Sequence, residues 1–137
     1  MALKPLKIFF DGGARPNPGR IEVAVVARGQ VHLFDDLGIG TNGDAEWLAL
    51  IAALDVAQSL AVLAFDLLGD SRAVIEQASG LVPCRTPAAR AYRARFEEAA
   101  AAQAPRRLRW IPRAQNLAGI ALARRTSGYS GWGPRNR

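Results

Sequence analysis

Short apolar runs alternate along this chain with breaks rich in Gly and Pro, and one longer stretch repeats its apolar residues at helical spacing. Residues 6–10, 21–27 and 31–37 are short runs rich in aromatic and β-branched residues, the pattern of strands. Gly29-Gln30 supplies a hairpin turn between the second and third, so their pairing is antiparallel. Residues 11–19 (Asp-Gly-Gly-Ala-Arg-Pro-Asn-Pro-Gly) and 38–44 read as loops. Across residues 45–60, Trp47, Leu48, Ile51, Leu54, Val56 and Leu60 recur mostly three or four apart, which predicts a helix with Asp44 as its N-cap.

Beyond it, residues 61–68 predict a strand closed by Gly69-Asp70, and residues 71–78 a short helix ending at Gly80. A connector over 81–87 leads to an Ala-rich helix over 88–102, stopped before Pro105. Residues 108–111 form a last strand ended by Pro112, and residues 115–125 a last helix. Three strands in meander, then strands and helices in alternation, predict an α/β domain. Its five-stranded mixed sheet has antiparallel strands first, then parallel ones, flanked by helices. The domain spans residues 1–125, and residues 126–137 form a flexible Gly-, Arg- and aromatic-containing tail.

Composition narrows the class. Of 137 residues 50% are apolar, enough for one domain with a core. The single Cys, Cys84, excludes an intrachain disulfide and a Cys-based zinc site and fits a reducing cytoplasm. The N-terminal residues contain no long apolar region, so no secretory signal is expected, and no run is long enough for a membrane span. A cytoplasmic monomer with no membrane partner is the expectation.

Charge is segregated. Residues 1–98 hold all 12 acids and 10 of the 18 basic residues, whereas residues 99–137 hold eight Arg and no acid. A basic C-terminal segment on a slightly acidic body suggests a polyanion, most simply nucleic acid. The tail, with Tyr129, Trp132, Arg135 and Arg137, has a composition suited to base stacking and phosphate pairing.

Three carboxylates stand at the mouths of predicted elements: Asp11 after the first strand, Glu46 at the helix start, and Asp70 after the fourth strand. If those strands are neighbours, the acids converge at one sheet edge. Clustered carboxylates repel, and a cation relieves the repulsion, which is the pattern of a Mg2+-dependent phosphoryl-transfer site. Asp35, Asp36, Asp55 and Asp66 read as solvated, His32 as structural or surface, and Trp47 and Trp110 as core packing.

Four motifs in order resemble the ribonuclease H type 1 family over residues 6–125: Asp11-Gly12-Gly13 with Asn17-Pro18-Gly19; Thr41-Asn42 with Ala45-Glu46; Asp70-Ser71; and Asn116-Leu117-Ala118 after Trp110-Ile111-Pro112-Arg113. The resemblance implies an endoribonuclease that hydrolyses the RNA strand of RNA–DNA hybrids with Mg2+ or Mn2+. Asp11, Glu46 and Asp70 would be its catalytic and metal-binding residues. In such a site two ions clamp the scissile phosphate, and Asp11 would bridge them. Gly12, Gly13, Ala14, Asn17, Thr41, Asn42, Ser71, Arg113 and Asn116 would meet the substrate, partly through the RNA 2′-hydroxyls. The chain departs from the family at the last motif, where Gly119 stands in place of a fourth metal-site Asp. Arg113 occupies the neighbourhood in which bacterial members often carry a His. The alternative is a catalytically weak or silent module that binds hybrid or RNA.

Overall fold

A computed structural model describes residues 4–126. Their strands are β1 (Leu6–Arg15), β2 (Gly19–Ala27), β3 (Gln30–Phe34), β4 (Ile39–Gly40), β5 (Phe65–Gly69) and β6 (Arg107–Trp110). The helices are α1 (Asn42–Ser59), α2 (Arg72–Ser79), α3 (Pro87–Ala100) and α4 (Leu117–Thr126). Five strands follow the order β3-β2-β1-β5-β6, and the two-residue β4 makes a sixth by pairing with the start of β2. β1, β2 and β3 are antiparallel neighbours, while β5 and β6 run parallel to β1, so the mixed α/β sheet is as expected. Among the described residues no helix is long and apolar enough to cross a membrane.

The sheet is covered on both faces. Ile8, Phe10, Val23 and Val25 pack against α1, α2 and α3, whereas Ala24 and Val26 pack against Ala118, Ala121 and Leu122 of α4. Along β1 burial alternates, so Phe10 and Gly12 face α1 while Phe9, Asp11, Gly13 and Arg15 face the α4 side. α1 is apolar nearly all round because the sheet and α3 enclose it. Trp47 is buried there and stacks on Tyr92 with ring centroids 6.1 Å apart. The Tyr92 hydroxyl reaches the Asp44 carboxylate at 3.1 Å, tying α3 to the start of α1.

Several local expectations shift. β1 does not end at residue 10 but continues through Arg15, because residues 11–15 find antiparallel partners in Arg20–Ala24 of β2. The hairpin turn is Arg28-Gly29, both in the left-handed region, as a two-residue turn between twisted strands requires. Thr41, not Asp44, is the N-cap of α1. The Thr41 hydroxyl accepts from the Asp44 amide, and the Asp44 carboxylate accepts from the Thr41 amide in return, so the helix begins earlier than its apolar periodicity does. The apolar run over 61–68 is only half strand, since Ala61 is left-handed and Leu63 is exposed before β5 begins at Phe65.

Asp66 and Trp110 both contradict the sequence reading. Asp66 is 1% exposed rather than solvated, and Arg106 grips both its oxygens, at 3.1 and 2.8 Å. That pair anchors the start of β6 to β5 at the sheet end away from Asp70. Trp110 is not core: it lies half exposed on the edge strand, its indole N–H donating to the Asp70 carbonyl and the Arg72 guanidinium 4.1 Å above its ring. The expected role of the tail, with Tyr129, Trp132, Arg135 and Arg137, lies outside the described residues, while Thr126 closes α4.

Gly12 sets the distance between α1 and β1. A Cβ there would lie 2.2 Å from the Ala45 carbonyl oxygen, which is backbone and cannot swing aside. Gly12→Ala is therefore expected to push the first turn of α1, with Glu46, away from β1. The expected cost is roughly 1–3 kcal/mol, read by urea unfolding, together with a large loss of any activity that needs Glu46.

Candidate active site

β1 runs on past its parallel partner, and the site lies in the notch this creates. Pairing between β1 and β5 ends at Phe9↔Leu68, two residues before Asp11. Asp70 follows β5 immediately, and Glu46 enters from the first turns of α1, held close by the contact at Gly12. Asp11, Glu46 and Asp70, with Ser71, line one small recess. The three sequence-predicted acids are thus brought together by three different elements.

Their electrostatics combine burial with the crowding of like charges. Burial, then the charge of Asp70, then that of Glu46 push Asp11 up from 3.8 to about 7, with Arg113 opposing. Burial raises Glu46 as well; a hydrogen bond from Ser71 and the charge of Arg113 work against the shift, and Asp70 adds to it. The Arg113 guanidinium lies 3.8 Å from Asp70 and is largely exposed, a cation on an open loop beside the acids.

Asn116 is fully buried and so is not a substrate contact in this arrangement. Its amide donates to the Phe10 carbonyl at 3.0 Å and to Asp70 at 2.8 Å, and its oxygen accepts from the Ala118 amide at 3.1 Å. One side chain therefore links β1, the Asp70 carboxylate and the start of α4. Asn116→Ala would strand buried polar groups on three segments. It should lower stability by about 2–4 kcal/mol and raise the metal concentration needed for half-maximal activity, as thermal unfolding and a metal titration would report.

Gly119 stands in the first turn of α4 and faces the acids. A Cβ built there would sit 3.4 Å from Asp11 Oδ2 and 3.7 Å from Asp70 Oδ2, in ordinary contact with both. Where the resemblance implies a fourth acid, Gly119 thus leaves a hollow at the α4 side of Asp11, on the wall of the cleft.

A wider cleft of about 470 Å³ opens from this hollow. Gly13, Ala14, Arg15, Asn17 and Asn42 line one side, and Arg113, Gly119, Leu122 and Ala123 the other. Within it the loop groups hold each other. Asn42 Oδ1 accepts from the Ala14 amide at 2.8 Å, and Asn17 Oδ1 accepts from the Asn42 amide at 3.0 Å. The Thr41 hydroxyl is occupied by its cap, and the Ser71 hydroxyl caps α2 by accepting from the Val74 amide. Gly12, Thr41, Ser71 and Asn116 thus build the site, whereas Gly13, Ala14, Asn17, Asn42 and Arg113 border open space.

Arg15 and Glu22 also line the cleft, and the sequence reading assigned neither a role. The signal was present. In Arg20-Ile21-Glu22-Val23 the polar residues alternate with buried ones, which sets Glu22 on the face opposite Ile21 and Val23.

The acids offer hard oxygen donors and no soft ones, a set suited to Mg2+ or Mn2+. Among the described residues no group of three or more His, Cys, Asp or Glu side chains is arranged to hold an ion as it stands. Mg2+ commonly takes one or two carboxylates and completes its shell with water and substrate phosphate, so an open notch fits it better than a closed cage would. The raised Asp11 points the same way, because a cation beside the acids would offset both the burial and the repulsion that push it up.

Residues 11–126 match the reverse transcriptase-like family. The chain is 35% identical over 124 residues to ribonuclease HI of Halobacterium salinarum, covering 84% of this chain and 60% of that protein. It is 34% identical over 124 residues to a bifunctional protein of Mycobacterium tuberculosis, covering 85% of this chain and 34% of that protein. The chain thus spans less than two thirds of the length of either. Among solved structures, the Halobacterium salinarum RNase H1 superposes with a TM-score of 0.73 at 32% identity, over 87% of this chain and 94% of that one. LC11-RNase H1 in complex with an RNA/DNA hybrid superposes with a TM-score of 0.72 at 28% identity, over 85% and 92%.

Proposed function

Because the chain belongs to the ribonuclease H type 1 family, we propose that it is an endoribonuclease hydrolysing the RNA strand of RNA–DNA hybrids with Mg2+ or Mn2+, as a cytoplasmic monomer. The observation that carries this reading is the convergence of Asp11, Glu46 and Asp70 on one recess, opening into a cleft with Arg15 and Arg113 at its borders.

In this reading Asp11, Glu46 and Asp70 hold the divalent cations. Bound there, the ions supply Lewis acidity at the phosphoryl group and lower the pKa of a bound water. Asp11 is central because it touches both the recess and the hollow at Gly119. Asn116 fixes the direction of Asp70, and Ser71 that of Glu46. Arg113 offers an exposed positive charge to a phosphate at the mouth of the notch. The Nδ2 groups of Asn17 and Asn42 can donate to a ribose hydroxyl, since only their oxygens are engaged in the loop.

A second reading has specific support: the hollow at Gly119 removes one carboxylate from the α4 side of Asp11, as in a module that binds hybrid without cutting it. Gel cleavage of an end-labelled hybrid, in Mg2+ and in Mn2+, with duplex DNA and duplex RNA as controls, separates the two. RNA-strand cutting confined to the hybrid supports the enzyme. Hybrid binding with no cutting in either metal at high protein concentration would establish the binding module.

A further inference from the structure

We propose that Glu22 is a specificity-determining residue that accepts a hydrogen bond from a ribose 2′-hydroxyl of the RNA strand. The inference rests on the hybrid-hydrolysis reading and adds to it a residue outside the four motifs.

A 2′-hydroxyl both donates and accepts, so a site that reads it well offers a partner for each. The cleft beside Asp11 has donors in the side-chain amides of Asn17 and Asn42. Its acceptors are scarcer. Asn42 Oδ1 is taken by the Ala14 amide and Asn17 Oδ1 by the Asn42 amide. Apart from Asp11 and Glu46, which belong to the reaction centre, the acidic side chain lining this cleft is Glu22.

The strand register puts Glu22 there. It pairs with Gly13 across β1 and β2, on the sheet face that carries Asp11. Gly13 has no side chain to place over the Glu22 carboxylate. The group is also held. Arg125 of α4 donates to Glu22 Oε2 from Nε at 3.3 Å, and its Nη2 contacts Asp35 at the end of β3. Among the described residues no hydrogen bond reaches Glu22 Oε1.

This arrangement distinguishes Glu22 from a solvated surface acid. Its side chain is 22% exposed, fixed by a partner that is itself fixed, and it lines the cleft with one oxygen that takes no hydrogen bond from the other described residues. Arg125 offsets its charge, so it does not drive away phosphates on either side. Arg15 and Arg113 border the same cleft and supply cations for those phosphates. A nucleotide seated between them would bring its sugar, not its phosphate, toward the carboxylate. A deoxyribose there would leave Oε1 without a donor, which is a penalty against DNA.

The test compares affinities for an RNA–DNA hybrid and for the same-sequence DNA duplex, measured in Ca2+ to suppress cutting. The full chain and its Glu22→Ala and Glu22→Gln variants are titrated, with thermal unfolding of each as a folding control. Glu22→Ala should weaken hybrid binding roughly tenfold, the size of a lost hydrogen bond to a charged acceptor, and leave DNA-duplex binding unchanged. Glu22→Gln keeps an acceptor oxygen and should keep most of the preference for hybrid, although it also loses the ion pair with Arg125. Equal losses on hybrid and DNA, no loss on either, or identical behaviour of the Ala and Gln variants would overturn the proposal. Absence of hybrid binding by the unmodified chain would instead remove the hybrid-hydrolysis reading on which it stands.

Discussion

Asp11→Asn is expected to lower hybrid cleavage on the order of a thousandfold or more and, in the ion-free protein, to raise stability at pH 8. The first effect follows from position, since Asp11 is the carboxylate shared by the recess and the hollow, and several kcal/mol of charge stabilisation depend on it. The second follows from linkage. Asp11 has its pKa raised from 3.8 to about 7 in the folded, ion-free chain. Between those pH values the folded state holds a proton that the unfolded state has released. The stability this contributes is fully present below about pH 4 and is lost as pH rises through about 7. Asn carries no charge to bury, so the variant should lose this part of the pH dependence, keeping the part that Glu46 adds, and be more stable than its parent above the window, by roughly 2–4 kcal/mol. Chemical denaturation from pH 4 to 8 in chelator reads this directly. A variant that keeps its activity, or that shares its parent's pH slope, would show that Asp11 is not the crowded central acid.

Gly119→Asp should raise the cleavage rate about tenfold at low Mg2+ and lower the metal concentration at half-maximal rate. The new Cβ would make ordinary contacts with the two acid oxygens, so the side chain enters without displacing backbone. Its carboxylate would complete the donor set on the α4 side of Asp11. An acid in the first turn of α4 also suits the helix dipole, and Asp is a somewhat better interior residue than Gly. Without metal the balance reverses, because another negative charge joins Asp11 and Asp70. The variant should therefore be less stable than its parent in chelator above pH 7 and gain more from added Mg2+. Isothermal titration with Mg2+ and kinetics across metal concentrations test both arms. An unchanged metal dependence would mean that the site works around three acids and has no use for a fourth.

The amino-acid sequence alone determined the mixed sheet and the element order apart from the short β4, and it singled out Asp11, Glu46 and Asp70 as acids at element ends. Those features are local: apolar periodicity over a few residues, Gly and Pro at breaks, and acids at element ends. The resemblance also marked Gly119 as the place where a fourth acid is expected, since a residue type at a motif position needs no coordinates. Whether Gly119 faces the acids was not legible, because that depends on how α4 packs across Ala24 and Val26. Asp66 read as solvated because its partner, Arg106, is 40 residues away along the chain. Trp110 read as core because edge and central strands have similar apolar patterns, and only the sheet order leaves β6 outermost. Asn116 changed from a substrate contact to a support once the closeness of Phe10, Asp70 and Ala118 was known. Glu22 entered the cleft through the register of β2 on β1, a pairing that a one-residue slip would have turned to the other face. Propensity and patterning act within a few residues and fix the elements. Burial, charge coupling and hydrogen-bond satisfaction act between segments far apart in the chain, and those decided which acids repel, which are neutralised and which oxygen remains free.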